Sequence, residues 1–355
     1  MINVRTSICD ELNIQFPVIQ AGMAGTATAA LAAAVSMAGG LGTVGAAYMA
    51  PETIRTCIRD IREKTDKPFG VNLFCTKEQG GTDGFEKVQH VLNRFRKDLG
   101  MDEKLDFEMP PQLFEEQFQV LTEEKVPVIS TAFGLLSPDK MKEAKRAGSK
   151  AISMVTTVNE AIAAEKAGVD IIVAQGSDAG GHRGTFDIGA HPNGANIGTF
   201  SLIPQVVDHV NVPVVAAGGI MDGRGVIAAL ALGAAGVQLG TAFLISKESV
   251  AHPVYKKALS ESTEESTVIT KSFSGRPARG IKNTFIQEFE AAVEPLPFPT
   301  QNTLTNDIRK VAAEQNDPEY MSLWAGQGTR LLRRPEEHAA HILKNIMKET
   351  NQVLS

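Results

Sequence analysis

Cysteine is scarce. Cys9, Cys57 and Cys75 stand far apart in 355 residues, and no Cys-x-x-Cys pair occurs. Neither a disulfide framework nor a zinc ribbon fits that spacing, whereas a reducing compartment does. Neither sign of charge dominates, with 35 Lys and Arg against 41 Asp and Glu for a net −6. No nucleic-acid or anionic-membrane partner is expected, because both favour basic patches. No uninterrupted apolar run reaches the roughly 20 residues of a membrane span. Met1-Ile2-Asn3-Val4-Arg5-Thr6 lacks the charged-then-apolar order of a secretion signal. No pair of histidines or carboxylates at the strand ends has ligand spacing, which disfavours a metal hydrolase. A soluble, cytoplasmic protein is the expectation, with homo-oligomerisation left open.

What is present is an ordinary globular composition, 43% hydrophobic and 21% charged. Short β-branched runs alternate with longer helical stretches, the mark of βα units and a parallel sheet. Eight runs qualify as strands: 16–20, 41–45, 69–74, 126–130, 150–154, 170–175, 213–217 and 236–239. Their unbroken apolar character suits strands covered on both faces. Helices are expected between them, near 26–37, from Pro51, and at 138–147, 158–167, 202–209 and 223–232. Gly168 supplies a left-handed cap to one of them. The count predicts an α/β fold, a (β/α)8 TIM barrel, in preference to a doubly wound open sheet.

The barrel is expected to occupy 1–248, with an excursion at about 76–125 that carries helices near 85–99 and 111–124. Less periodic residues 249–300, with the Pro295-Leu296-Pro297-Phe298-Pro299 run, read as an appended lid or substrate region. Residues 301–355 read as a helical segment packing back on the barrel.

In such a barrel the site forms at the strand C-termini, and the last two βα loops are the usual phosphate cradle. Here they read Ala217-Gly218-Gly219-Ile220 and Gln238-Leu239-Gly240-Thr241. Glycines let backbone N–H groups approach a phosphate, Thr241 adds a hydroxyl, and a helix opening at 222–225 would aim its positive end there. Two such turns in the right pair of loops point to a phosphate-bearing ligand. Asn72 and Gln175 each close a strand, as amides able to donate and accept at once; each could equally cap its own loop. Ala21-Gly22-Met23 offers small residues and a thioether against which a flat ring could rest.

The sharpest segment is Gln175-Gly176-Ser177-Asp178-Ala179-Gly180-Gly181-His182-Arg183-Gly184. Four glycines surround one histidine, giving it room and bringing backbone close to a ligand. An imidazole exchanges protons near neutrality, so His182 is the candidate catalytic residue. Arg183 either steers an anionic substrate or pairs with Asp178 or Asp187. The other six histidines lie in helical or surface-like contexts.

Taken together, Gln20-Ala21-Gly22-Met23, Gly39-Gly40-Leu41-Gly42, Val71-Asn72-Leu73-Phe74, Ala179-Gly180-Gly181-His182-Arg183-Gly184, Ala216-Ala217-Gly218-Gly219-Ile220 and the late Ser322-Leu323-Trp324-Ala325-Gly326-Gln327 segment resemble the nitronate monooxygenases of Gram-positive bacteria. The resemblance covers most of the chain. It implies FMN as cofactor, contacted by Asn72, Gln175, Gly180, Gly219 and the stretch Gln238, Leu239, Gly240, Thr241. It also implies that His182 stands at the catalytic position. The implied activity is oxidative denitrification of alkyl nitronates such as propionate 3-nitronate with O2. The Gly-Gly-His element is shared with FMN-dependent, NAD(P)H-using enoyl-acyl-carrier-protein reductases, the alternative on the same scaffold.

Overall fold

The computed structural model describes residues 4–78, 80–332 and 336–354. Its strands in chain order are β1 (Val18–Gln20), β2 (Gly42–Gly45), β3 (Phe69–Phe74), β4 (Val128–Ala132), β5 (Lys150–Val155), β6 (Ile171–Gln175), β7 (Gly181–His182), β8 (Val214–Ala217), β9 (Gly236–Leu239), β10 (Thr267–Thr270) and β11 (Ala278–Ile281). Eight of them, all but β7, β10 and β11, form one parallel sheet. β1 pairs with β9 through Val18 and Val237, and an Ile19–Leu41 bridge ties β1 to the start of β2. The sheet therefore closes into a TIM-type (β/α)8 barrel.

Why these residues make a barrel is visible in their alternation. On β6, Ile171 and Val173 point into a small inner core with Ile19, Val128, Ile152 and Val215, while Ile172 and Ala174 face the outer helices. Ile8, Cys9 and Leu12, carried by and just after a helix at Ser7–Glu11, join that inner core. The helix Pro51–Lys64 buries Ile54, Ile58 and Ile61, spaced to form one stripe. The alanines of Ala29–Met37 let that helix sit directly on β2: a side chain at Gly42 would lie 1.9 Å from the Ala32 carbonyl oxygen. Helix starts are set by side chains accepting backbone N–H groups, Thr28 from Leu31, Ser137 from Lys140 and Thr157 from Glu160.

The outer ring is completed by Ala339–Leu354, which packs against both Gly223–Ala231 and Ala29–Met37. β4 begins two residues later than the sequence pattern indicates. Pro127 has no N–H to give to the ladder, so pairing starts at Val128.

A second apolar core lies beside the barrel. It draws Val88, Leu92 and Phe95 from the helix Phe85–Asp98, Tyr255, Phe273, Phe285 and Phe289 from the region after the barrel, and Ile308, Ala312 and Leu323 from beyond residue 300. Packing thus joins the excursion, residues 249–300 and residues up to about 325, and the last helix returns to the barrel ring. Within this part β10 and β11 form an antiparallel hairpin, absent from the sequence-based reading, and β7 adds to its other edge.

Candidate active site

The loops that follow the barrel strands converge. The Ala21 N–H donates to the Leu239 carbonyl at 2.9 Å. A side chain at Gly22 would fall 2.7 Å from the Asn72 Cβ, and one at Gly240 would rest 3.6 Å from Ala21 and 3.7 Å from the Met23 sulfur. Ala21, Gly22, Met23, Asn72, Leu239 and Gly240 are therefore neighbours. Asn72, 8% exposed, donates to the Ser130 hydroxyl at 3.0 Å. Gln238 is half-buried on β9, and Thr241 opens a four-residue helix. Gly219 is exposed with φ +69, a left-handed conformation suited to glycine, and a side chain there would lie 3.3 Å from the Asp178 Cβ.

His182 reaches the same end of the barrel through the second sheet. As β7 it pairs with Ala278, and Gly181 pairs with Arg279. Its Nε2 lies 2.8 Å from the Ser274 hydroxyl. Phe74, Phe133 and Trp324 wall the ring at centroid distances of 6.2, 5.8 and 5.3 Å. Phe133 holds its place with φ +74, a conformation that costs a bulky residue roughly 1–3 kcal/mol and persists only where the surroundings impose it. The Arg276 guanidinium stacks 3.9 Å from the Phe133 ring centroid.

The segment Leu323 to Gln327 stitches both halves together. Ile281 donates to the Leu323 carbonyl, Gly326 donates to the Thr241 hydroxyl at 3.1 Å, and Gln327 donates to the Asp178 carbonyl at 3.0 Å. Gly180 is packed against this segment: a side chain there would meet the Ala325 and Gly326 backbone at 2.5 Å. Its lack of a Cβ is explained by the chain itself.

Three expectations need correction or refinement. Gln175, 4% exposed, has its amide turned to its own loop, donating to the His182 carbonyl and accepting from Gly184, both at 2.9 Å. It holds the histidine loop in place. Arg183 is fully buried, with its guanidinium on the carbonyls of Gly176, Gln175 and Ala195. It neither faces a substrate nor ion-pairs with Asp178 or Asp187; its role is to fold the loop. The helix Gly223–Ala231 does not offer a free positive end: the Asp222 carboxylate already accepts from Arg224 and Gly225, and Glu349 accepts from Gly223.

Electrostatics set the state of the histidine. Burial, then the charges of Arg276 and Arg309, push His182 down to about 3, so the ring is neutral at neutral pH. Arg276 is itself buried and bonds Glu78 at 2.6 Å. Among the described residues Arg309 bonds the Asn302 side chain and the Asn302 and Thr305 carbonyls. Tyr48 lies edge-on to Phe74 at 5.4 Å, and desolvation pushes it up to about 12.

The sequence-based reading missed Tyr48, Phe133, Ser274, Arg276, Arg309 and Trp324 as site components. The β-branched run Thr267-Val268-Ile269-Thr270 ahead of Ser274-Gly275-Arg276-Pro277 was a hairpin signal that could have located two of them. A shallow depression of about 760 Å3, lined by Asp139, Lys142, Lys145 and Arg146 among others, lies where the helix Pro138–Arg146 ends, at the opposite end of the barrel, and touches none of this chemistry. Among the described residues no cluster of His, Cys, Asp or Glu could hold a metal ion, and no helix is long and apolar enough to cross a membrane.

Comparison with known proteins bears on what this constellation belongs to. A family model for nitronate monooxygenase matches residues 5–349. A probable nitronate monooxygenase of Staphylococcus saprophyticus is 42% identical, with all of both chains covered. Among solved structures, nitroalkane oxidase from Streptomyces ansochromogenes superposes with a TM-score of 0.92 at 37% identity, covering 98% of this chain and 100% of the other. FabK from Thermotoga maritima follows with a TM-score of 0.78 at 34% identity, covering 99% and 97%. Barrel, histidine loop and full-length likeness agree, and the chain belongs to the nitronate monooxygenase family of oxidoreductases.

Proposed function

We propose that the protein carries out the oxidative denitrification of alkyl nitronates with O2, using bound FMN, with propionate 3-nitronate as a natural substrate. The observation that carries this reading is a solitary imidazole, neutral and aromatic-walled, at the same end of the barrel as an open glycine cradle. Family membership supports a flavin in general. The chain's own geometry supports where it would sit. At Gly240, φ is −110, which any residue adopts, and a side chain would meet only ordinary contacts. Neither backbone nor packing accounts for a glycine there, whereas an approaching cofactor would.

Gly219, Gly240 and Thr241 would then hold the phosphate end, with Gln238 and Leu239 beside them. Ala21, Gly22 and Met23 would rest against the ring, and Asn72 would meet its polar edge. Gln175 and Gly180 would act by holding the histidine loop. When bound, a flavin supplies reversible electron acceptance, which no side chain here provides. His182 would hydrogen-bond the nitro oxygens or take a proton from a neutral nitroalkane. Arg276 and Arg309 would favour the anionic form of the substrate by their charge. Residues 249–300, through the hairpin that carries Ser274 and Arg276, would form the substrate-facing cover.

The test is direct. Purified protein should be yellow and release FMN on denaturation, and it should consume propionate 3-nitronate and O2. A colourless protein that takes up no flavin refutes the reading.

A further inference from the structure

We infer that Ser274 fixes His182 as the Nε2–H tautomer and so presents an unprotonated Nδ1 to the substrate. Only the identity of that substrate rests on the function proposed above.

A serine hydroxyl has one proton and two lone pairs. Ser274 Oγ has three partners: His182 Nε2 at 2.8 Å, the Arg276 carbonyl at 3.1 Å and the Arg276 backbone N–H, from which it accepts, at 3.2 Å. One proton serves one of the first two. Ser274 is 1% exposed and Arg276 fully buried. Among the described residues no other donor reaches the Arg276 carbonyl. A buried carbonyl without a donor is strongly disfavoured, so the hydroxyl proton goes there. The remaining contact must be donated by Nε2–H, and the second ring nitrogen then carries the lone pair.

That second nitrogen is free to work. Nδ1 has no hydrogen-bond partner among the described residues, and it is not among the sealed polar atoms left without one. It is therefore not fully sealed from solvent. The ring is held by Phe133 and Trp324 on its sides and by the β7–β11 pairing through its backbone. One short turn, Ser274 to Pro277, thus supplies both the hydroxyl that sets the tautomer and the Arg276 carbonyl that sets the hydroxyl. Ser274 is a positioning residue.

The consequence is a defined proton path for a neutral nitroalkane. Its Cα–H bond breaks, the electron pair stays on the molecule as the nitronate, and the proton forms an N–H bond at Nδ1. The imidazolium so formed faces the charge of Arg276 and Arg309, which favours release of that proton from Nδ1 to solvent.

The tautomer is read by long-range 1H–15N correlation on histidine-labelled protein at neutral pH, with and without flavin, the His182 signals being assigned by their loss in His182→Asn. The expected result is a protonated Nε2 and an unprotonated Nδ1. Ser274→Ala should shift the tautomer balance and lower kcat for nitroethane by roughly 10²-fold, with a smaller loss on its preformed nitronate. Ser274→Thr, which keeps the hydroxyl, should restore both readouts. A protonated Nδ1 in the unaltered protein, or an unchanged tautomer in Ser274→Ala, overturns the inference. The resting spectrum needs no turnover, so a protein that fails to oxidise nitronates yet shows Nε2–H would sink the proposed function alone.

Discussion

A histidine enclosed by Phe74, Phe133 and Trp324 and facing two guanidinium groups keeps its neutral form far into acid, pushed down to about 3. In the unfolded chain the same ring titrates near 6.5. Between those values the unfolded state binds a proton that the fold excludes, so stability rises with pH across that window. Acidification from pH 6.5 should lower Tm, and the drop should be shallower in His182→Asn; equal slopes in thermal scans would show that the ring is not held neutral. The same variant should retain flavin but lose roughly 10²–10⁴-fold in nitroalkane turnover if the imidazole moves the proton, and unchanged turnover would remove it from that role. Arg309, which has no carboxylate partner among the described residues, belongs to the same balance. Arg309→Gln should raise KM for the doubly charged propionate 3-nitronate roughly tenfold and that for the singly charged ethyl nitronate by less; equal effects on both would place the guanidinium away from the substrate tail. At this scale His182 was legible because four glycines crowd one imidazole in ten residues. Arg276, Arg309 and Ser274 were not, because their value comes from long-range packing that brings residues about 90 to 130 positions away to the histidine. Arg183 was misjudged for a related reason: its charge is visible in sequence, but its burial against three carbonyls is not.

Elements carry the site by closing close to one another, and glycines mark where. Two positions separate packing from binding. A methyl group at Gly180 would drive into the Ala325–Gly326 backbone at 2.5 Å, whereas one at Gly240 would meet only ordinary contacts. Gly180→Ala should therefore destabilise the fold by about 1–3 kcal/mol. Gly240→Ala should leave Tm within a degree or two and weaken FMN binding about tenfold or more, the equivalent of a modest clash. Thermal scans with flavin titrations check the pair; full flavin affinity in Gly240→Ala would move the cofactor elsewhere. Strand positions were readable from apolar runs because both faces of a barrel strand are buried, and β3 and β9 fall where the pattern puts them. β4 slipped by two residues on Pro127. The β10–β11 hairpin was passed over because it lies outside the βα rhythm, yet it delivers the partner that orients His182.

At the scale of the whole molecule, a closed barrel supplies a rigid ring of strand ends, and a second apolar core places a hairpin across them. The barrel was legible from the count of βα units. The second core was not, since it gathers helix Phe85–Asp98, residues after the barrel and residues past 300 into one cluster. Where these two bodies meet, Phe133 packs on the histidine, and Tyr48 and Phe298 extend that aromatic cluster through Phe74 and Phe133. The resemblance shared through the Gly-Gly-His element leaves an NAD(P)H-driven reduction as the competing chemistry, and one measurement separates the two. Flavin-loaded protein is mixed anaerobically with propionate 3-nitronate and, separately, with NADPH, and the visible flavin band is followed. Bleaching by the nitronate, with no bleaching by NADPH, is the expected result. Bleaching by NADPH while the nitronate leaves the band intact would contradict the proposed oxidation.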